Sequence, residues 1–219
     1  MDLWRDFLTN QGPAIHKWEH YFPIYERYFA PWRNRSLTFL EIGVSKGGSL
    51  QMWRRAFGPL ARIVGIDIDP KCRRHEGPGV FVRIGDQSDP SFLQSVIDEF
   101  GAPDIVLDDG SHQMAHIRAS FDFLYPRLPK NGVYMVEDLH TAYWKQYGGG
   151  LHEPASFIAY AKSLIDQLNA EHSRGALEPD AFTRDTLSIA FHDSVIVFEK
   201  GQVWRKEPVE IGGGRRGPF

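Results

Sequence analysis

The sequence predicts an α/β chain built on a mostly parallel, doubly wound sheet of seven strands, with an antiparallel strand added by a C-terminal hairpin. Three observations predict it. Short β-branched and aliphatic runs alternate with amphipathic stretches, the order that gives parallel strands joined by right-handed crossovers. Acidic and histidine side chains gather just after those runs, at the edge where open α/β sheets bind ligands. A length of 219 residues, 42% of them hydrophobic, supports one well-buried domain and is short for two.

Composition narrows the function classes. The net charge is −3, and no Lys/Arg run interleaved with aromatics occurs apart from Arg215-Arg216, so nucleic-acid binding has no electrostatic footprint. No stretch reaches the apolar length of a membrane span. The single cysteine, Cys72, excludes an internal disulfide, and Met1–Asp6 lacks the basic-then-apolar order of a secretory signal. The expectation is a cytoplasmic protein with a small-molecule partner and no nucleic acid or membrane. A homo-oligomer, a dimer first, is expected, with the aromatic N-terminal segment as its candidate surface.

Residues 1–31 are rich in aromatics, and Pro13, Pro23 and Pro31 divide them into one or two short helices. These either pack on the sheet or form a lid from which His16, Tyr21 or Tyr25 reaches inward. Thr38–Gly43 reads as the first central strand, Val44–Ser49 as a glycine-rich turn and Leu50–Phe57 as a helix. That order makes a ligand cradle, because glycines admit close approach and free N–H groups face the ligand. The glycines Gly43, Gly47 and Gly48 depart from the G-x-G-x-x-G spacing. Arg62–Asp67 is the next strand, and Asp67 stands where a carboxylate meets a ribose hydroxyl pair. Its competing reading is a turn or N-cap aspartate before Pro70. Val80–Ile84 ends at Asp86, placed to meet an adenine amino group, and Phe92–Phe100 is a helix entered through Pro90.

Ile105–Leu107 is a buried strand that runs straight into Asp108, Asp109 and His112. Met114–Leu128 is helical, and Val133–Val136 is the fifth strand, leading into Glu137, Asp138 and His140. Residues 145–180 form a helical insertion with the stripe Phe157, Ala161, Leu164, Ile165 and Leu168, read as a cap beside the site or a helix on the sheet's outer face. Leu187–His192 and Val195–Lys200 form the closing hairpin. The tail, residues 201–219, is expected to be loose.

Asp109, Glu137 and Asp138 are hard oxygen donors without nearby cysteines, which suits Mg²⁺, Mn²⁺ or Ca²⁺ better than zinc. Such an ion orients a hydroxyl and lowers its pKa. His112, three residues after Asp109, is the candidate general base, with His140 in reserve.

Five segments together, Leu40–Ser49, Gly65–Asp69, Gly85–Asp89, Asp108–His112 and Val136–Trp144, resemble the metal-dependent sugar O-methyltransferases of the macrocin and mycinamicin type. The resemblance runs from Lys17-Trp18 through Tyr25–Arg27 to Ser194–Lys200. It implies a Rossmann-like class I methyltransferase fold, S-adenosylmethionine as cofactor and Mg²⁺ as metal. It implies further that Glu41, Gly43 and Ser49 hold the methionine end of the cofactor, Asp67 its ribose and Asp86 its adenine region. Asp109, Glu137 and Asp138 would hold Mg²⁺, His112 would be the base, and the acceptor would be a sugar hydroxyl of a glycoside or oligosaccharide. Two other readings stand beside it: a metal-assisted hydroxylase or hydrolase on the same fold, and a non-catalytic cofactor-binding accessory module.

Overall fold

The computed structural model describes residues 2–204, 206–212 and 215–218. Seven strands form the main sheet: β1 (Leu37–Ile42), β2 (Ala61–Asp67), β3 (Val80–Ile84), β4 (Ile105–Asp108), β5 (Val133–Val136), β6 (Thr186–His192) and β7 (Val195–Lys200). Their order is β3-β2-β1-β4-β5-β7-β6. The first five pair in parallel, and β7 runs antiparallel between β5 and β6. The chain winds outward from β1 through β2 to β3, then returns to place β4 on the other side of β1. The switch point therefore lies between the carboxyl ends of β1 and β4, where a crevice must open.

All six residues of β1 and all four of β4 and β5 are buried, as strands covered on both faces require. Period-two alternation divides them between two cores. Phe39, Ile63, Ile105 and Val133 belong to one, with the helices α1 (Leu3–Leu8), α2 (Phe22–Phe29) and α3 (Gly48–Phe57). Leu40, Val64, Val106 and Tyr134 belong to the other, with α4 (Pro90–Phe100), α5 (Met114–Leu124) and α6 (Phe157–Leu168). Leu50, Trp53 and Phe57, spaced three and four apart on α3, are buried together. Each aliphatic or phenyl side chain so buried contributes roughly 1.5–3 kcal/mol.

Three local expectations are revised. Pro23 does not interrupt a helix but occupies the first turn of α2, where its missing N–H is no loss. On α6, Phe157, Ala161 and Leu164 are buried while Ile165 is 43% exposed, so the apolar stripe is narrower than its sequence. Phe157 packs its ring against Phe121 and Phe198, which seats α6 on α5 and the sheet's outer face, one of the two placements expected for it. The tail, expected to be loose, carries a second two-stranded antiparallel sheet of β8 (Val209–Gly212) and β9 (Arg215–Pro218). A short helix unread in the sequence, α7 (Ala181–Asp185), is closed by a capping box between Asp180 and Thr183. Among the described residues no helix is long and apolar enough to cross a membrane.

Candidate active site at the switch point

A cavity of about 520 Å³ opens at the carboxyl ends of β1, β2, β4 and β5, within the range of small-molecule sites. The sheet's hydrogen bonds continue into its walls: the N–H of Gly43 donates to Ile66, that of Asp109 to Ile42 and that of Glu137 to Asp108. The loops are thereby extensions of the strands. Gly43, at φ +95°, passes so close to β4's exit that a Cβ would lie 2.1 Å from the Asp109 carbonyl oxygen. Residues 13 and 14 lie across the start of α3, where a Cβ on Gly48 would meet the Pro13 carbonyl at 2.3 Å.

On the cofactor side, Asp67 Oδ2 accepts from the Val44 and Ser45 N–H groups at 2.9 Å, and Oδ1 accepts from Asp69 N–H at 2.8 Å. Burial works to raise its pKa, but these backbone donors prevail and hold the carboxyl below its ordinary value. Asp67 thus shapes the glycine turn itself, and it still faces the cavity. Asp86 also lines the cavity, with Oδ1 accepting from the Ser88 N–H and hydroxyl. Ser49 lines it too, donating its hydroxyl to Glu41 Oε2 at 2.9 Å. Glu41 itself is fully buried beneath the turn, where Trp53 Nε1–H donates to it, and it does not belong to the cavity wall.

Asp108 turns away from the cavity. It is buried and accepts from the Ser120 hydroxyl at 2.6 Å, the Tyr134 hydroxyl and Gln87. Burial pushes its pKa up to about 6. Gln87 in turn accepts from Ser111 N–H at 2.7 Å, tying the β3 exit to the loop that carries His112.

The acidic side holds a group that the site reading of the sequence had not included. Lys17 places its ammonium 2.6 Å from Asp109 Oδ2, 2.8 Å from Glu137 Oε2 and 3.7 Å from Glu41 Oε1, with its side chain 3% exposed. Burial alone would lower its pKa; the three carboxylates outweigh that and hold it well above its ordinary value. Tyr25 donates to Glu137 Oε1 at 2.5 Å, and Tyr21 donates to Asp138 Oδ1 at 2.7 Å. All three carboxylates expected to hold a metal therefore receive hydrogen bonds from residues 17–25. The N-terminal segment both packs on the sheet and supports the site, and His16 lines the cavity.

Asp109, His112 and Asp138 bring one ligand atom each within 4.8 Å of one another, a grouping that could hold a cation. Glu137, expected with them, points beneath this group toward Lys17 and Tyr25. One ammonium among Glu41, Asp109 and Glu137 leaves an excess of negative charge. Burial, reinforced by Asp109 and only partly offset by Lys17, raises Glu41 to about 7 and Glu137 to about 8. Hard oxygen donors in excess of the available positive charge are a donor set suited to a divalent ion. His112, at φ +58°, turns its Nε2 to within 3.8 Å of Asp138 Oδ2 and lines the cavity. His140 does not line it; its Nδ1 lies 2.6 Å from the Ser194 hydroxyl, which also accepts from the His140 N–H.

Sheet order, glycine turn and acidic strand ends together define a class I methyltransferase fold. Residues 40–139 match the family described as a methyltransferase domain. Over the span it shares with them, the chain is similar to proteins named as O-methyltransferases of glycosylated compounds. It is 40% identical over 190 residues to the 8-demethyl-8-α-L-rhamnosyl tetracenomycin-C 2′-O-methyltransferase of Streptomyces olivaceus, covering 82% of this chain and 50% of that one. It is 34% identical over 212 residues to the demethylmacrocin O-methyltransferase of Streptomyces fradiae, covering 91% of this chain and 52% of that one. The structure of the MycE methyltransferase from the mycinamycin pathway, solved with Mg, SAH and mycinamycin VI, superimposes with a TM-score of 0.79 at 34% identity, covering 91% of this chain and 53% of that one. The chain spans about half the length of the curated relatives it matches.

Proposed function

We propose that this domain transfers a methyl group from S-adenosylmethionine to a sugar hydroxyl of a glycoside or oligosaccharide, with Mg²⁺ as its metal. The observation that carries the reading is the convergence of Asp109, His112 and Asp138 on one side of a cavity whose other side is the glycine turn and Asp67. Asp67 and Asp86 would face the ribose and adenine, and Gly43 and Ser49 the methionine end, with Glu41 acting through Ser49. Asp109 and Asp138 would hold the metal, with Glu137 joining them by sharing its contact with Lys17. Bound Mg²⁺ would orient the acceptor hydroxyl and increase its acidity.

S-adenosylmethionine held there would supply the methyl group, whose carbon would bond to the sugar oxygen as its bond to the sulfonium sulfur broke, with S-adenosylhomocysteine as the leaving product. The hydroxyl proton passes to His112 Nε2, and Asp138, 3.8 Å away, stabilises the imidazolium that forms. The enzyme's larger contribution is alignment of the two reacting atoms, which a cavity built on strand ends provides. His140, fixed on Ser194, is less available as a base.

The test is formation of S-adenosylhomocysteine and a methylated product from a panel of glycosides. His112→Ala is expected to lower turnover ~10²–10⁴-fold while cofactor binding persists. EDTA is expected to abolish turnover and added Mg²⁺ to restore it; full activity after thorough chelation would remove the metal from the reading. Product formation without S-adenosylhomocysteine would favour the hydroxylase or hydrolase alternative.

A further inference from the structure

Beside His112 stands a wall of aromatic rings that the reaction chemistry does not use. Trp18 is 48% exposed and Trp144 45%, large apolar surfaces left at the surface of a folded chain. The His140 ring sits between them, 5.4 Å from Trp18 and 4.9 Å from Trp144, edge-on to both. Tyr147 continues the row, 6.0 Å from Trp144 and 6.2 Å from His112. At one end Trp18 lines the cavity next to Lys17, and at the other the row meets His112, which also lines it.

The wall is held in place. Ser194 fixes the His140 ring, and the N–H groups of Gly149 and Gly150 donate back to Trp144 and Ala142. An indole has few rotatable bonds, so it costs little entropy to bring against a ligand, and it presents a flat apolar face with a polar edge. Asp109 and Asp138, the expected metal ligands, line the same cavity as Trp18. The cavity's cations are Lys17, which is buried against three carboxylates, and Lys46, which lies on the glycine turn away from the wall.

We infer that Trp18, His140, Trp144 and Tyr147 form the acceptor subsite, stacking the apolar C–H face of a neutral pyranose ring. This assignment rests on the methyl-transfer reading for the reaction itself. A pyranose has the required dual character: one face of C–H groups for the indoles, and hydroxyls at its rim for hydrogen bonds. Seated on the wall, the ring would present a rim hydroxyl toward His112 and the carboxylates.

The experiment is direct binding of p-nitrophenyl α-L-rhamnopyranoside and p-nitrophenyl β-D-glucopyranoside to the whole chain with S-adenosylhomocysteine and Mg²⁺ present, followed by ligand-observed NMR and calorimetry. Saturable binding of at least one glycoside is expected, weakened tenfold or more by Trp18→Ala or Trp144→Ala and largely kept by Trp144→Phe. Cofactor affinity and melting temperature should not move in these variants. Absence of saturable glycoside binding, or equal binding by both alanine variants, overturns the subsite. In a parallel incubation with S-adenosylmethionine replacing S-adenosylhomocysteine, tryptophan-dependent glycoside binding without methylated product would instead overturn the methyl-transfer reading and leave the subsite standing.

Discussion

At the scale of single residues, Lys17 and Asp67 show how a polar site is made stable before any ligand arrives. Lys17 is a buried cation held by Asp109, Glu137 and Glu41, and removing one partner of such a group leaves uncompensated charge behind. Lys17→Met is therefore expected to lose about 3–5 kcal/mol of stability in urea unfolding. A loss under 1 kcal/mol would show that the carboxylates need no counter-charge from the protein. Asp67 works through backbone donors and has a depressed folded pKa. Its stabilisation is fully present above the unfolded carboxylate pKa of about 4 and is lost as pH falls through the lower folded value. Unfolding free energy should thus decline on acidification below about pH 4, and Asp67→Asn should flatten part of that decline. An unchanged acid limb in the variant would mean that the three backbone bonds do not discriminate the charged form.

Strands and their loops decide which of these residues meet. Each acidic group at the site stands at, or just after, the end of a strand, and the ladder's hydrogen bonds carry into the first loop residues, as Asp109 on Ile42 and Glu137 on Asp108 show. Precision at the site is inherited from the sheet. The β1 and β4 exits touch at Gly43, where only a hydrogen fits against the Asp109 carbonyl. Gly43→Ala would cost of order 1–3 kcal/mol for the backbone conformation alone and would push the Asp109 loop outward. The expected outcome is a folded protein of lower melting temperature with weakened binding of both Mn²⁺ and S-adenosylhomocysteine. Unchanged binding of both by a folded variant would show that the two exits move independently. The N-terminal segment is the opposite kind of element: residues 10–18 have no helix or strand of their own, yet Lys17 and Trp18 border both halves of the cavity.

Across the whole molecule, the fold was legible because the central strands β1, β2, β4 and β5 are compact, largely apolar runs and the large helices each show one apolar face. Alternation of strands and helices gave a mostly parallel sheet with right-handed crossovers, while the strand order β3-β2-β1-β4-β5-β7-β6 came from the structure. Asp109, His112 and Asp138 were legible for the same reason, since a residue following a buried strand must emerge at the sheet's edge. Glu137 was legible as a strand-end carboxylate, but its downward direction toward Lys17 and Tyr25 was not. Lys17 entered only as the start of the family resemblance, and its role gave no signal: it lies 92 residues from Asp109 and 120 from Glu137, in a stretch without periodicity. Likewise nothing in Leu139–Tyr147 announced that its rings would align with Trp18. The sequence by itself determined the sheet, the glycine turn and the edge at which chemistry gathers, because these depend on local patterns of apolar and polar residues. Only the tertiary structure decided that Glu41 lies under the turn, that α6 packs on α5 and the sheet's outer face, and that one ammonium holds the acidic strand ends together. Those depend on which distant side chains must share charge and space, and charge neutralisation in a buried site has no period along the chain.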